Sequence, residues 1–318
     1  MWIDVSEGHQ AWPLVSVVVP TRHRPVLLRR AVRGVVGQDY PGPIECLVVF
    51  DRSKPAMPSV KTSGDRDVRI LTNERAPGLG GTRNTGAMAA RGEFLAFCDD
   101  DDEWLEKKLR LQMDALRANQ FAAVATCGIY FCYGRHATPR LPPKRRITFK
   151  DFLRSRHVEV HPSTLVVRRR TFLEDIGPMD ESMAPNYCED YEWLLRASRW
   201  SKLIAVREPL VRVNRHSDSW TMMQETGRWQ TVIDALTYLI GKYPEFQDEP
   251  QGLARICGQI AFAYAALGQR IQSRQWITKC LSLNPLDVRG YLAVLVNLGL
   301  IRGETAIRMA HLLGRGII

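Results

Sequence analysis

The sequence has no apolar stretch long enough to cross a bilayer. Its longest apolar runs, Phe121 to Cys132 and Leu292 to Ile301, fall well short of the roughly 20 residues a spanning helix needs. The first residues, Met1 to Glu7, lack the basic start and apolar middle of a secretory signal, so a cytoplasmic protein is expected. There is no Cys-x-x-Cys pair among the seven cysteines (46, 98, 127, 132, 188, 257 and 280), and seven is an odd number. That argues against a disulfide scaffold or a zinc ribbon and for free thiols buried in a reducing compartment. A Walker lysine and a Gly-x-Ser-x-Gly elbow are also missing. No zinc-finger spacing, aromatic RNA-binding signature or clear recognition helix is present, so the net charge of +10 is not read as a nucleic-acid surface. The remaining partners for a basic surface are phosphorylated small molecules and anionic membranes. What is there is ordinary globular material: 318 residues, 45% hydrophobic and 25% charged. That length suits about two domains.

The first half alternates strand and helix signals. Val15 to Pro20 is a β-branched run, and Val26 to Gln38 then repeats apolar residues at helical spacing. Cys46 to Phe50 reads as a second strand ending at Asp51, and Val68 to Leu71 as a third. A glycine-rich turn and a small-residue helix lead to a fourth strand, Glu93 to Cys98. Trp104 to Asn119 is expected to be helical. Such alternation implies a mostly parallel sheet covered by helices, with ligands at the carboxyl ends of its strands. Three polar features fall at such ends: Pro20-Thr21-Arg22, Asp51 and Asp99 to Asp102. Further strands are expected over Ser163 to Arg169 and Leu203 to Val213, with a helix over Tyr187 to Trp200. Between Gly134 and Arg156 a basic loop is expected, suited equally to a phosphate-bearing acceptor and to a membrane surface.

After about Ser219 the chain reads as helical throughout, with one convincing tetratricopeptide-like repeat (Ala261, Tyr264, Gly268, Trp276, Cys280, Pro285). The expected division is therefore residues 1–219 as an α/β domain and 220–318 as a helical domain. One repeat cannot stand alone as a solenoid. Its roles are open: covering apolar surface, forming a homodimer, or holding a peptide in a concave groove.

Four consecutive aspartates, Asp99-Asp100-Asp101-Asp102, repel one another. An N-cap needs one or two of them; a divalent cation explains the rest, and oxygen ligands suit Mg²⁺ or Mn²⁺ bound alongside substrate phosphates. The turn Gly78 to Gly86 leads into a helix and could cradle phosphate, although it matches the dinucleotide fingerprint only loosely.

Together these segments resemble family 2 glycosyltransferases. The resemblance runs through Val15 to Thr21, Gln38 to Pro41, Val48 to Ser53, Thr82 to Gly86, the Phe97-to-Trp104 segment with Lys108-Leu109, Ile176 to Glu181 and Glu189 to Arg196. The first three segments form one opening block and each of the other four a further block; these five in order, covering roughly Leu14 to Ser219, carry the resemblance. It implies a GT-A fold, a Rossmann-like nucleotide-diphospho-sugar transferase domain. It also implies inverting transfer from a nucleotide sugar, with Mn²⁺ or Mg²⁺. By position, Pro20, Thr21, Arg22, Asp51, Arg83, Asp99 and Asp100 would bind the donor. Asp101 would ligate the metal directly, with Asp99 and His216. Asp190 would be the base, and Glu189, Trp104 and His161 would lie on the acceptor side.

The sequence departs from the family at Phe50 and Arg52, where an acid and a small residue are usual. This leaves uridine favoured and base choice open. The acceptor class is open among a cell-surface glycan, a polyprenyl-linked sugar, a natural product and a peptide. Contact with the inner face of the membrane would suit a lipid-linked acceptor. Two other readings are a nucleotidyltransferase or sugar-nucleotide hydrolase, and a non-catalytic interaction protein using the helical tail; the second would be expected to have lost some of Asp99, Asp101 and Asp190.

Overall fold

The computed structural model describes residues 11–134, 136–183, 187–215, 226–303 and 305–306. Its centre is a sheet of ten strands among these residues. Strands β1 (Val15–Thr21), β2 (Ile44–Phe50) and β3 (Arg66–Thr72) alternate with helices α1 (Pro25–Val36) and α2 (Leu79–Ala89). Then come β4 (Phe94–Phe97), β5 (Glu103–Trp104), α3 (Lys108–Arg117) and β6 (Val124–Tyr133). Two short strands, β7 (His136–Arg140) and β8 (Arg146–Ile147), and helix α4 (Phe149–Arg154) precede β9 (Val166–Arg168). Helix α5 (Glu189–Trp200) and the long β10 (Leu203–Arg215) complete this part. The sheet order is β3-β2-β1-β4-β9-β6-β10-β5. β3, β2, β1 and β4 run parallel, as do β6 and β10. Only β9 divides the two sets, antiparallel to β4 and β6.

Alternation along the strands makes two cores, one per face. In β1, Val15, Val17 and Val19 pack with α1 and α3, through Leu28, Val32, Leu109 and Met113. Val18 faces the other way, toward Ala87 of α2 and Tyr191 and Trp193 of α5. The β-branched, fully buried runs read from the sequence are thus central parallel strands with helices on both sides.

Helices α6 (Thr226–Lys242), α7 (Pro250–Ala266), α8 (Arg270–Leu283) and α9 (Val288–Asn297) follow. Val232, Leu236, Leu239, Tyr243, Leu253, Ile256 and Ile260 of α6, α7 and the turn between them join the same buried cluster as Phe152, Phe172 and Trp193. A smaller core, with Ala261, Phe262, Ile277 and Ala293, lies among the later helices. Helix α7 meets α4 so closely that a Cβ on Gly252 would collide with the Leu153 carbonyl.

Three local expectations are corrected. The helix expected from Trp104 begins at Lys108, because Trp104 and Glu103 instead pair with Val211 and Arg212 of β10. The basic stretch expected as a loop contains β7, β8 and α4. There Gly134 turns with φ +57°, β7 pairs with β6, and Thr148 and Asp151 form a capping box that starts α4. Pro139 fits because β7 pairs on one side only. In the Ser163 to Arg169 run, only Val166–Arg168 is strand, since Pro162–Thr164 forms a 3-10 turn.

The seven cysteines are free thiols, six of them buried. No helix among the described residues is long and apolar enough to cross a membrane.

Candidate active site

The carboxyl ends of β1, β2 and β4 and the amino end of α5 bring most of the expected residues together. At the end of β1, the Thr21 hydroxyl donates to Asp100 Oδ2 (2.7 Å). Arg24 Nη1 lies 3.3 Å from Asp100 and 3.0 Å from Asp101, so one guanidinium serves both acids. Pro20 is buried in the strand itself, and Arg22 is exposed at its end. After β2, Asp51 accepts from Asn73 Nδ2 (3.0 Å) and the Gly78 amide (3.3 Å), with Arg52 Nε at 3.3 Å. Gly78 has φ +111°, and a Cβ at Gly81 would strike the Ala76 carbonyl, so the turn before α2 needs its glycines.

Arg83 is the hub. Its side chain is 2% exposed, and it reaches Asp99 (Nη2–Oδ1, 2.7 Å) and Glu189 (Nη1–Oε1, 2.9 Å) at once. Burial disfavours its charge, but Asp99 and Glu189 outweigh burial and hold it protonated. α2 thereby joins the aspartate run after β4 to the first turn of α5. Asn84, one residue on, donates to Met179 O and Glu181 Oε1 and fixes the segment before α5.

Within the aspartate run each carboxylate has its own environment. Burial, foremost, pushes Asp100 up to about 6. Asp102 is buried and accepts from Ser163 Oγ (2.5 Å), with His161 Nδ1 at 4.0 Å. Ser163 Oγ also accepts the Asp99 amide (2.9 Å), and Trp104 Nε1 donates to Ser163 O (2.9 Å). Trp104 is buried in the α1–α3 core with the Lys108 ammonium 3.7 Å from its ring centre, so its indole serves the fold. Burial brings Lys108 down to about 8.

Glu189 and Asp190 open α5 directly after Cys188, whose φ is +68°. The four non-glycine residues with positive φ among those described are His23, Arg52, His157 and Cys188. They follow β1, follow β2, or adjoin Arg156 and Glu189, which places the strained backbone around one site. Burial and then Asp190 push Glu189 up, against the pull of Arg83. Asp190 is held the other way. Burial would raise it, but Arg156 and Arg83 outweigh burial and keep it below the usual carboxylate range. Arg156 Nη2 sits 2.9 and 3.0 Å from the two Asp190 oxygens. Two adjacent acids thus differ, one favouring a proton and one refusing it.

Ligand atoms of Asp99, Asp102 and His161 lie within 4.8 Å of one another. Two carboxylates and an imidazole at that spacing fit a divalent cation such as Mn²⁺. Asp101 is next to this group and engaged by Arg24. His216 lies outside the described residues.

Residues 16–177 match the family model Glycosyl transferase family 2, half of the chain. The chain belongs to glycosyl transferase family 2. Relatives within it include an Escherichia coli UDP-Glc:alpha-D-GlcNAc-diphosphoundecaprenol beta-1,3-glucosyltransferase, 33% identical over 39% of this chain and 46% of the relative. Another is a Campylobacter jejuni GalNAc(5)-diNAcBac-PP-undecaprenol beta-1,3-glucosyltransferase, 36% identical over 34% of this chain and 35% of the relative. The chain thus spans less than half the length of either. Among solved structures, S. aureus TarS 1-349 in complex with UDP-GlcNAc superposes with TM-score 0.64 at 16% identity, covering 95% of this chain and 92% of the other. A Pyrobaculum calidifontis mannosyltransferase in complex with GDP-Man and Mn²⁺ superposes with TM-score 0.56 at 17% identity, covering 93% and 83%. The family's GT-A architecture is therefore the fold of this chain.

Four residues absent from the expected site are prominent in this family 2 cleft: Arg24, Asn73, Arg156 and Ser163. Ser163 carried no site signal, because the sequence reads it as the first residue of a strand. Arg156 ended the basic stretch that the sequence suggested for anion binding, not for contact with Asp190, and Arg24 carried no signal, because the chain has many arginines and only packing selects it.

Proposed function

We propose that the protein transfers a sugar from a nucleotide sugar, with a UDP-sugar favoured, to an acceptor hydroxyl with inversion. One observation carries the reading: Asp190, held through both oxygens by Arg156, opens α5 beside Glu189, which Arg83 joins to Asp99 of the aspartate run after β4. A sugar hydroxyl is a poor nucleophile at neutral pH, so a placed carboxylate must take its proton. Asp190 accepts that proton as the acceptor oxygen bonds to the anomeric carbon. The bond from that carbon to the diphosphate breaks, and the nucleoside diphosphate leaves with the electron pair. Thr21 and Asp51, at the ends of β1 and β2, and Arg83 on α2 are read as the nucleotide's contacts.

Asp99 and Asp101, or Asp99 with Asp102 and His161, would hold Mn²⁺ or Mg²⁺. When bound, the metal would offset charge on the diphosphate. The donor set supports a divalent cation: ligand atoms of Asp99, Asp102 and His161 lie within 4.8 Å of one another, beside the Asp100-Asp101 pair.

The printed names of two relatives place a polyprenyl diphosphate-linked glycan in the acceptor role. We read the same acceptor class here, with a cytoplasmic protein working at the inner membrane face. Residues 220–318 are read as a helical domain that supports the catalytic one, and a homodimer would form through it.

A thermal-shift series of UDP, GDP, TDP and their sugars with and without Mn²⁺ tests the donor half. The expected result is stabilisation by UDP that chelation removes. A folded sample that no nucleoside diphosphate stabilises would sink the reading. UDP stabilisation that survives chelation would sink the metal.

A further inference from the structure

Asp190 accepts three hydrogen bonds: two from Arg156 Nη2 and one from the Tyr191 amide (2.7 Å). Among the described residues, Arg156 is the only side chain bonded to it. Arg83, the other nearby arginine, is committed to Asp99 and Glu189.

Arg156 is itself held from several directions. It lies just beyond α4 and just before His157, whose φ is +49°. Its guanidinium lies 5.9 Å from the centre of the Tyr191 ring. The Tyr191 hydroxyl donates to Phe152 O of α4 (2.6 Å) and accepts from Arg255 Nη2 of α7 (2.9 Å). The Arg255 guanidinium lies 5.6 Å from the same ring. The ring that carries Arg156 is thus pinned by α4 and by the helical region. The same stretch of chain continues to His161 and Ser163, which contact Asp102.

A buried ion pair can serve the fold alone. Three features favour a further role. The pair lies at the opening turn of α5 beside strained backbone. Arg156 commits only Nη2 to the carboxylate. Its side chain is 30% exposed, so it borders the cleft instead of being sealed in the core.

We propose that Arg156 is a positioning residue for the transfer, holding both oxygens of Asp190 so that the carboxylate stays charged and fixed in orientation while the acceptor approaches. This rests on reading Asp190 as the base. The groups facing Asp190 are Arg156 from the segment after α4, Arg83 from α2, Glu189 and Cys188 from its own segment, and Arg255 of α7 through Tyr191, while Tyr187 acts on Arg156. Without Arg156, burial is opposed by Arg83 and the Tyr191 amide.

The test titrates the Asp190 carboxyl carbon by ¹³C NMR in protein labelled at aspartate, assigned with Asp190→Asn. It compares wild type, Arg156→Gln and Arg156→Lys, each checked for folding by circular dichroism. In Arg156→Gln the titration of Asp190 should rise by at least about one pH unit, with a smaller rise in Arg156→Lys. UDP affinity should be unchanged in both. UDP release from UDP-glucose and UDP-GlcNAc should show its acid limb moving up with the same order. A folded Arg156→Gln whose Asp190 titrates as in wild type overturns the proposal. A wild-type acid limb that stays fixed while the NMR titration moves also overturns it, reducing the pair to a structural one. The base reading fails separately, if Asp190→Asn keeps full turnover.

Discussion

The cleft at the carboxyl end of the sheet and the helical region beyond β10 bury charge in opposite ways. Where the helical region meets α4, α5 and the segment before α5, charges are closed into balanced sets. Glu192, fully buried on α5, meets Arg196, Lys242 and Tyr243. Lys242 also takes Asp180, and Glu249 takes Arg154. In the cleft, Arg24 serves both Asp100 and Asp101, Arg83 serves both Asp99 and Glu189, and burial, foremost, pushes Asp100 and Glu189 up. The difference is one of sharing: where α4 and α5 meet the helical region each buried acid has a cation of its own, whereas in the cleft Arg24 and Arg83 are each divided between two acids.

Breaking the cleft side should have the largest effect. Asp190→Asn should lower sugar transfer by about 100- to 10,000-fold, the usual worth of a general base, with UDP affinity kept. Rate and calorimetric binding measured together check it, and unchanged turnover counts against the assignment.

On the helical side, Gly252→Ala should push α7 from α4, because the new Cβ meets backbone and not a flexible side chain. A loss of about 1 to 3 kcal/mol in urea unfolding is expected, with nucleotide affinity little changed. Lys242→Met opens the balanced set. Glu192 keeps Arg196 and Tyr243, so the cost should be about 2 kcal/mol, short of that for a fully orphaned buried charge. A loss below about 0.5 kcal/mol, the level of an ordinary surface change, would mean the two regions do not differ as argued.

The same set predicts a pH window. Burial pushes Asp180 up, and Lys242, Ser182 and Tyr238 more than offset it; burial also pushes Glu192 up, and Arg196 and Lys242 outweigh that. Both acids are therefore depressed. Their contribution is present above the unfolded values near about 4 and is lost as pH falls through the folded ones. Lys242 moves oppositely, since burial lowers it and Asp180 and Glu192 raise it further. Its contribution is full below about 10.4 and is lost as pH rises through the folded value. Urea midpoints should fall on both sides of this window, and less so in Lys242→Met. The smallest effect is expected at Phe121, which is 98% exposed in the turn before β6. Phe121→Ser should change stability by less than about 0.5 kcal/mol.

Much of the sheet was legible because a strand buried on both faces is apolar on both, as Val17 to Val19 and Cys46 to Phe50 are. The cleft was legible where chemistry is written locally, in the aspartate run and the Glu189-Asp190 pair. β7 and β8 were hidden by their charge, because edge strands need no apolar face toward water. Trp104 read as the start of a helix, since its pairing with Val211 depends on residues more than a hundred positions away.

The sequence by itself determined the alternating architecture, the family and the acids at the strand ends, since periodicity and short motifs are local properties of a chain. Only the tertiary structure decided which cation meets which acid. It chose Arg24, Arg83 and Arg156 from among the 44 lysines and arginines, and it set Asp190 against Glu189 as charged against proton-seeking. The physical reason is that pairing and desolvation act through space over a few ångströms, and residues 83, 99, 156 and 190 come within that range only when the chain is folded.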